Sequence, residues 1–524
     1  MRMLEMLRYT FGPLEILALV LFTLLLTFTD YRPSWVLKHF KGVFGQSKQK
    51  TVKDVPGPKP ALPIFGTTWL FTLRYNIVKL HEAYAAQHTL SKTKLPSTIT
   101  PEPALREQQC SLYLAVSPSS PLPAYVRMLT TVKHHITGTQ ALTVTHKGKA
   151  LGEKWQELRS VLTPELTSAK TILQFLPELH QVTEDFTSLL RGLRDGGNTV
   201  HNFELLANKI SLEISDSGQF TGICVLVLGR RLGFLDKDLG TLASRLARAV
   251  KEHFIASRDT YYGLPLWKLY QTDAYKRIVQ SEEEYYDIIS ELVEVAMTEE
   301  METCAMDGIQ SVFTSILRAP GLDVREKKAG IIDFIAAGIQ GLSNSLMFLL
   351  YFLAKHPDSQ QRLFEEVQNM YQITGDSLKE AQYLHACVKE SYRLLPAAIA
   401  IARTLETDME LSGHNIPAGT SVVCHTWLAC KDETNFSRPD EFYPERWLPG
   451  SDRKSTQNSQ FLVIPYGCGR RMCPGKRFVD QELHLILAKI VQEFEVKFDG
   501  EMGLQFEFFL APGGPVNFTF IDRH

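Results

Sequence analysis

Apolar and polar residues follow helical spacing along much of this chain. The stretch from Ile331 to Lys355 is almost entirely apolar and stops at His356-Pro357, so it predicts a long buried helix. Phe203 to Leu212 and Phe478 to Ile490 predict further helices by the same repeat. Ser421 to Cys424 follows a turn and predicts a short strand. Helices therefore dominate the predicted elements.

Composition narrows the classes of function. The 524 residues suffice for one large domain or for roughly two to three smaller ones. A formal net charge of −2 gives no basic surface of the kind that binds nucleic acid. Eight cysteines without framework spacing favour a reducing compartment over a disulfide scaffold.

The N-terminal segment, 1–54, is the part of the chain best suited to a membrane. Arg2 and Arg8 precede an apolar run from Leu14 to Phe28, and a basic stretch follows. Because this run is short for a bilayer span, a membrane anchor, a signal-type segment and an atypical mitochondrial presequence all stay open. Taken alone, the segment favours an anchor.

A proline-rich hinge, Val55 to Pro60, begins the predicted globular domain, 55–524. Within this domain, residues 87–146 lack clear periodicity and are rich in Pro, Ser and Thr. Such a composition predicts a loop, a disordered segment or an insertion.

The chemistry is concentrated in a glycine-rich stretch, Pro465 to Phe478, which joins an apolar run to a predicted helix. Glycines let a backbone approach a flat partner closely, and free N–H groups at a helix start stabilise a thiolate. Cys473 is placed in this way, and a thiolate can hold haem iron. An ordinary buried cysteine is the simpler alternative. A zinc site is disfavoured because Cys468 and Cys473 are spaced too widely for a zinc knuckle.

The same stretch resembles the haem-binding loop of the cytochrome P-450 family, F-x-x-G-x-R-x-C-x-G. Gly469, Arg471, Cys473 and Gly475 match this pattern, and Tyr466 stands in place of the Phe. The resemblance implies haem b (iron protoporphyrin IX), with Cys473 as the axial iron ligand and the other matched residues around the cofactor. It also implies the family's mainly α-helical fold with a small β region.

Other residues resemble those that hold the haem propionates in the family. Trp155 and Arg159 form a W-x-x-x-R match and share one face of a helix, because they are four residues apart. Arg403, which follows an apolar segment, resembles a propionate-binding arginine. A surface cation–π pair is the alternative for Trp155 and Arg159.

The long apolar helix resembles the oxygen-side helix of the family, A/G-G-x-D/E-T-T/S. Gly338 matches, but Gln340 replaces the acid and Gly341 replaces the threonine. The acid and the hydroxyl normally organise proton delivery, and neither Gln nor Gly is a proton source. We expect Gly338, Gln340 and Ser343 to line the oxygen site, where either Ser343 or Asn344 holds a water or a substrate hydroxyl assists. Helix packing through small residues is the alternative.

An ion-pair network resembles the one that braces the fold in the family. Glu390 and Arg393 are three residues apart on a predicted helix and match E-x-x-R. Arg446 belongs to a P-E-R-W segment that resembles the family's P-E-R-F/W. The resemblance implies a buried structural network of Glu390, Arg393 and Arg446, outside the catalytic machinery.

The residues just past the cysteine resemble the electron-donor site of mitochondrial members of the family. Lys476 and Arg477 match the basic pair that meets an acidic [2Fe–2S] ferredoxin in those members. Ser257 to Lys268 is similar to the steroid-hydroxylating mitochondrial members. These likenesses imply an adrenodoxin-like ferredoxin with its NADPH reductase. They also imply the mitochondrial inner membrane, with the endoplasmic reticulum membrane as the alternative.

Together the motifs imply a haem-thiolate monooxygenase that hydroxylates a steroid with molecular oxygen. Two alternatives stay open. A haem-thiolate isomerase or dehydratase needs no proton relay, which suits Gln340 and Gly341. A haem-binding protein without turnover is the other, if residues 87–146 removed a wall of the pocket. A membrane is an expected partner and nucleic acid is not.

Overall fold

The computed structural model describes residues 50–51, 159–160, 163–164, 176–212, 240–262, 267, 270–302, 324–370, 373–411, 414–451 and 459–523. The chain forms two compact units. The smaller unit contains Met1–Val126, Arg258–Thr272 and Ile401–His425, and the larger contains Arg127–Ser257, Asp273–Ala400 and Thr426–His524. Most of the proposed anchor segment, Trp155 and the atypical stretch 87–146 lie outside the described residues.

Helices dominate the described part of the chain, as the sequence predicts. They are α1 (Leu176–Leu193), α2 (Phe203–Leu212), α3 (Gly240–Tyr262), α4 (Asp273–Glu302), α5 (Val324–Lys355), α6 (Pro357–Val367), α7 (Gly375–Glu380), α8 (Gln382–Leu394), α9 (Thr426–Cys430), α10 (Ser459–Leu462) and α11 (Lys476–Glu493). Pro444–Trp447 and Gly469–Arg471 form short 3-10 helices.

The strands are short and form small sheets. They are β1 (Lys50–Thr51), β2 (Thr199–Val200), β3 (Ile401–Thr404), β4 (Met409–Leu411), β5 (His414–Ile416), β6 (Ser421–Cys424), β7 (Phe494–Lys497), β8 (Leu504–Glu507), β9 (Phe509–Pro512) and β10 (Phe518–Asp522). In the smaller unit the strand order is β1-β5-β4, and β3 pairs antiparallel with β6. In the larger unit the order is β2-β10-β7, and β8 with β9 makes an antiparallel hairpin.

Helix α5 is the central helix of the larger unit. Its apolar residues recur at helical spacing, and Ile331, Ile335, Ile339 and Leu342 are almost completely buried. It packs against α2, α4, α8 and α11 and against strands β7 and β9. The helix ends where the sequence predicts, because Pro357 cannot continue it, but it begins seven residues before the predicted start at Ile331.

The position of α5 inside the fold explains why its sequence is so apolar. Among the described residues, Gly330–Lys355 is the one stretch long and apolar enough to span a bilayer, and 72% of its most apolar window is buried inside the fold. A core helix of a globular protein has the same composition. We therefore assign this stretch to the protein core.

The helix that carries the predicted ion pair is held in place by a neighbouring helix. The Glu366 carboxylate of α6 accepts hydrogen bonds from the backbone N–H groups of Tyr383 and Leu384, both at 2.8 Å. These donors lie in the first turn of α8, where N–H groups have no partner inside the helix. The negative charge also suits the positive end of the helix dipole. Glu366 thus joins α6 to the start of α8.

Candidate active site

The glycine-rich stretch forms a tight loop that leads into α11. Gly467 N donates to Ile464 O and Cys473 N donates to Tyr466 O, each at 2.9 Å. Gly467 and Gly469 have φ angles of +73° and +68°, which glycine adopts without steric cost. The loop turns back on itself and places Cys473 just before the helix, as the sequence predicts.

The sulfur of Cys473 lies among hydrogen-bond donors. Backbone N–H groups of Gly475 and Lys476 point to it, and the nearby Arg159 adds positive charge. A Cβ at Gly475 would lie 3.9 Å from Cys473 Sγ, so this glycine leaves the space beside the sulfur open. The loop is therefore built to favour negative charge on the sulfur.

Burial nevertheless has the larger effect on the free thiol. It raises the pKa of Cys473, and the N–H of Gly475 and the charge of Arg159 only partly offset it. The sequence predicts a thiolate stabilised by N–H groups, and such groups do lie at the sulfur, where they oppose the effect of burial. Because metal ligands are deprotonated, a cation bound to the sulfur would stabilise the thiolate further.

Arg159 reaches the loop from a distant part of the sequence. Its guanidinium donates a hydrogen bond to the main-chain carbonyl of Met472, next to Cys473. Burial lowers the pKa of Arg159, and the sulfur of Cys473 raises it. The structure thus brings Arg159 to the cysteine loop. Trp155, its predicted companion, lies outside the described residues.

Helix α5 has one face that the chain does not cover completely. Ala337 is exposed, and Phe334, Gly338 and Gly341 are half-buried. These positions share a face because they are spaced by three and four residues. The ring of Phe334 lies 4.0 Å from the position of a Cβ on Gly475, so this face is next to the cysteine loop.

The residues that replace the acid–threonine pair differ in their surroundings. A Cβ at Gly341 would meet no atom within 4 Å outside the adjoining backbone of its own helix. Gln340 is 2% exposed, and its Nε2 has no hydrogen-bond partner among the described residues. Ser343 is fully buried, donates to Gln340 O at 3.4 Å, and lies roughly 200° around the helix from Gly341. The structure therefore does not bring Ser343 to the face of Gly338 and Gly341.

The predicted ion-pair residues meet in the protein interior. Glu390 accepts from Arg393 Nε and Nη2 at 2.9 and 2.8 Å, and from Arg446 Nε at 3.0 Å. The backbone N–H of Tyr443 and the indole N–H of Trp447 also donate to the Glu390 carboxylate, at 3.0 and 2.9 Å. All three charged side chains are at most 1% exposed. The remaining guanidinium N–H groups donate to backbone carbonyls of Cys430, Ser437, Arg438, Pro439 and Glu441.

The remaining predicted residues lie on a strand of the smaller unit or on the surface of the larger unit. Arg403 is on β3 in the smaller unit, where its Nη1 donates to Ala402 O at 2.8 Å. Arg471 is exposed in the short helix before the cysteine. Lys476 and Arg477 are exposed in the first turn of α11. The propionate and electron-donor roles of these side chains stay predictions.

Sequence reasoning missed a tyrosine pair behind the loop. The hydroxyl of Tyr466 lies 2.7 Å from that of Tyr392 and also bonds the Asp480 carboxyl. Burial raises the pKa of Asp480, and the Tyr466 hydrogen bond lowers it. The replacement of the motif's Phe by Tyr466 was the available signal, since a phenol needs a partner when buried.

The site fits a haem held through sulfur. A half-buried cysteine with N–H donors at its sulfur lies beside an incompletely covered helix face with small residues, which a flat ligand can approach. Within the described ranges no group of three or more His, Cys, Asp or Glu side chains is arranged to hold a metal ion. A single thiolate suffices for haem iron because the porphyrin supplies the other ligands.

A cysteine with N–H donors at its sulfur, beside an incompletely covered helix face, is the arrangement of a haem-thiolate protein. The chain belongs to the cytochrome P-450 family, whose sequence profile matches residues 131–517. It is thus a haem-dependent monooxygenase of the P-450 type, with the mainly α-helical fold of that family.

Several curated proteins are similar to this chain. Ecdysone 20-monooxygenase of Drosophila melanogaster is 38% identical over 495 residues, covering 91% of this chain and 90% of that protein. The probable cytochrome P-450 12a5, mitochondrial, of the same organism is 31% identical over 397 residues, covering 71% of this chain and 72% of that protein. Cytochrome P-450 302a1, mitochondrial, also from Drosophila melanogaster, is 29% identical over 377 residues, covering 70% of this chain and 73% of that protein.

Proposed function

We propose that this protein hydroxylates ecdysone to 20-hydroxyecdysone, using haem b, molecular oxygen and electrons from a ferredoxin. The similarity to ecdysone 20-monooxygenase over 91% of the chain carries this proposal. That similarity extends along nearly the whole chain, and its 38% identity exceeds the 31% and 29% of the two relatives named as mitochondrial.

An apolar environment beside α5 supports a steroid substrate. Leu510 of the β8–β9 hairpin donates its backbone N–H to Ala397 O at 2.8 Å, and its carbonyl accepts from Asn344 of α5 at 3.0 Å. The hairpin, the segment after α8 and α5 therefore meet at one place. Most side chains there are apolar, and apolar walls with a few polar groups suit a steroid.

Each part of the site has a distinct task in this proposal. Cys473 holds the haem iron through its sulfur, and Arg159 places positive charge beside that sulfur. Gly338 and Gly341 keep one face of α5 open toward the cofactor. The haem, when bound, supplies the activation of oxygen. Gln340 can orient a water or a hydroxyl but cannot release a proton at neutral pH, so protons must come from ordered water or from the substrate.

Electrons enter next to the cysteine in this proposal. Lys476 and Arg477 are exposed within four residues of Cys473, and they form a basic patch suited to an acidic ferredoxin. An adrenodoxin-like ferredoxin with its NADPH reductase is the donor. The proposed location is the mitochondrial inner membrane, and relatives named as mitochondrial support the mitochondrion. The N-terminal segment 1–54 supplies targeting or anchoring.

Reconstitution tests the function. Purified protein with haem, ferredoxin, ferredoxin reductase and NADPH should convert ecdysone to 20-hydroxyecdysone. Substitutions K476E and R477E should raise the ferredoxin concentration needed for half-maximal rate. Lys276→Glu, an exposed lysine on α4, is the matched control. Absence of product with a fully reducible haem would contradict the proposal.

An isomerase or dehydratase remains the second candidate function. The absence of both the acid and the threonine, at Gln340 and Gly341, favours it, because rearranging a peroxide needs no proton relay. Incubation with an organic hydroperoxide and no reductant distinguishes the two functions. Rapid conversion without NADPH would favour the isomerase, and strict dependence on NADPH and ferredoxin favours the hydroxylase.

A further inference from the structure

Two buried amide atoms on α5 have unused hydrogen-bonding capacity. Nε2 of Gln340 and Oδ1 of Asn344 have no hydrogen-bond partner in the part of the chain that the structure describes. The two residues are 2% and 1% exposed. A buried polar group without a partner costs about 1–3 kcal/mol, so two of them in an apolar helix require an explanation.

The two atoms are complementary in position and in chemistry. Gln340 and Asn344 are four residues apart and therefore lie on the same side of α5, one turn from each other. One offers N–H donors and the other offers an acceptor oxygen. A hydroxyl group both accepts and donates a hydrogen bond, so one hydroxyl between them satisfies both.

The orientation of the Asn344 carboxamide follows from its neighbour. Its Nδ2 donates to the carbonyl of Leu510 at 3.0 Å, which leaves Oδ1 as the free acceptor. Leu510 in turn donates its N–H to Ala397 at 2.8 Å. Asn344 therefore lies where α5, strand β9 and the segment after α8 converge. These are the segments that line the substrate pocket in the proposed function.

The pair lies beside fully buried apolar side chains. Leu510, whose carbonyl accepts from Asn344, is fully buried, and so is Met347, which lies on the same side of α5. In such an environment a hydrogen bond is less screened than in water, and apolar contacts alone do not fix which way a steroid lies. A single polar anchor would fix the orientation of the substrate relative to the cysteine loop.

We propose that Gln340 and Asn344 bind one hydroxyl group of the steroid substrate and thereby orient it. This rests on the proposed function, which supplies a steroid with several hydroxyl groups. Gln340 donates to the substrate oxygen, and the substrate hydroxyl donates to Asn344 Oδ1. Replacement of the usual acid by Gln340 then serves substrate recognition.

Equilibrium binding tests this proposal without turnover. Ecdysone and a series of analogues, each lacking one hydroxyl, are titrated into the haem-loaded protein by calorimetry and by the change in the haem spectrum. The wild type should bind one analogue about tenfold more weakly than ecdysone. Gln340→Leu and Asn344→Leu should bind that analogue and ecdysone equally.

Controls separate this proposal from loss of folding and from failure of the proposed function. Ser345→Ala removes a nearby hydroxyl that donates to Gly341 O within the helix at 2.7 Å, and it should keep the wild-type discrimination. Gln340→Leu does not disturb the Leu510 contact, so its result is independent of the hairpin.

A wild type that binds ecdysone but does not discriminate among the analogues would overturn this inference alone, and the two atoms would then hold a water. Unchanged discrimination in both leucine variants would also overturn it. A wild type that does not bind ecdysone contradicts the proposed function itself.

Discussion

The hydroxyls of Tyr392 on α8 and Tyr466 in the cysteine loop lie 2.7 Å apart, with the two rings edge to face at a centroid distance of 5.6 Å. Burial and the neighbouring Asp480 charge raise the pKa of Tyr392, so the phenol stays protonated at any physiological pH. The contact joins the loop to the helix that carries the ion-pair network.

Removing this contact should destabilise the loop modestly. Tyr466→Phe leaves the Tyr392 hydroxyl and the Asp480 carboxyl each with one hydrogen bond fewer, at a cost of about 1–2 kcal/mol of unfolding free energy. A double-mutant cycle with Tyr392→Phe, followed by urea unfolding, measures the coupling. We expect a coupling of about 1 kcal/mol, and strictly additive losses would show that the two hydroxyls do not interact.

The Glu390 network should matter more for folding. Glu390→Gln removes the negative charge shared by two buried guanidinium groups and should lower the unfolding free energy by about 3–5 kcal/mol. Thermal melting and haem retention check this. Glu365→Gln on α6 is the matched control, because its carboxylate is exposed and accepts a hydrogen bond from the exposed Gln361. Equal melting temperatures for the two variants would mean that the network adds nothing to stability.

Local motifs could be predicted from the sequence because they depend on short separations. Glu390 and Arg393 are neighbours on any helix, and the turns at Gly467 and Gly469 follow from glycine. The contact between Asn344 and Leu510 spans 166 residues, and no spacing rule predicts it. The same holds for the tyrosine pair, and it appears only once the helices pack.

The prediction that Ser343 lines the oxygen site followed residue type and overlooked helical spacing, which already turns Ser343 away from the face of Gly341. Residue type suggested a hydroxyl near the site, whereas the position of Ser343 on α5 turns it away from Gly341 and into the core. The entry of Arg446 into the ion-pair network was implied by resemblance alone. Its segment and α8 are joined by contacts between residues more than fifty positions apart.

Gly341 stands where the family pattern has a threonine, so a substitution there tests whether proton delivery limits the reaction. Gly341→Thr should fit, because a Cβ there would meet no atom within 4 Å outside the adjoining backbone of its own helix. The helix propensity of Thr is also slightly better than that of Gly. The new hydroxyl lies on the incompletely covered face of α5. The fraction of NADPH converted to hydroxylated product should rise by about twofold or more, while Gly341→Ala, which adds a methyl without a hydroxyl, should leave it unchanged. Equal product yields for the two variants would show that proton delivery does not limit the reaction.

Stability should depend on pH through a buried histidine. Burial, with a smaller effect of the neighbouring His385, lowers the pKa of His484 to about 4, whereas its ordinary value is 6.5. The folded protein keeps this ring neutral, with Nδ1 bonded to Asp480 O, while the unfolded chain takes up a proton below pH 6.5. Stability from this group is therefore complete above about pH 6.5 and is lost as the pH falls toward 4, by about 3 kcal/mol in total.

Urea unfolding between pH 7 and pH 4 measures this dependence. His484→Phe keeps an aromatic ring that does not titrate, so its unfolding free energy should fall less steeply with acid than that of the wild type. His201→Gln, an exposed histidine paired with Asp195, is the control. Parallel pH profiles for wild type and His484→Phe would show that this ring is not the titrating group.

The central claim is that Cys473 holds the haem iron by its sulfur. Cys468, five residues earlier and exposed, is the natural control. The measurement is the absorption spectrum of the ferrous carbon-monoxide complex, whose Soret band is strongly red-shifted only with thiolate ligation. We predict that Cys473→Ser loses the red-shifted band, and that Cys468→Ser keeps it at full intensity. A red-shifted band that survives in Cys473→Ser, or disappears in Cys468→Ser, would contradict the account.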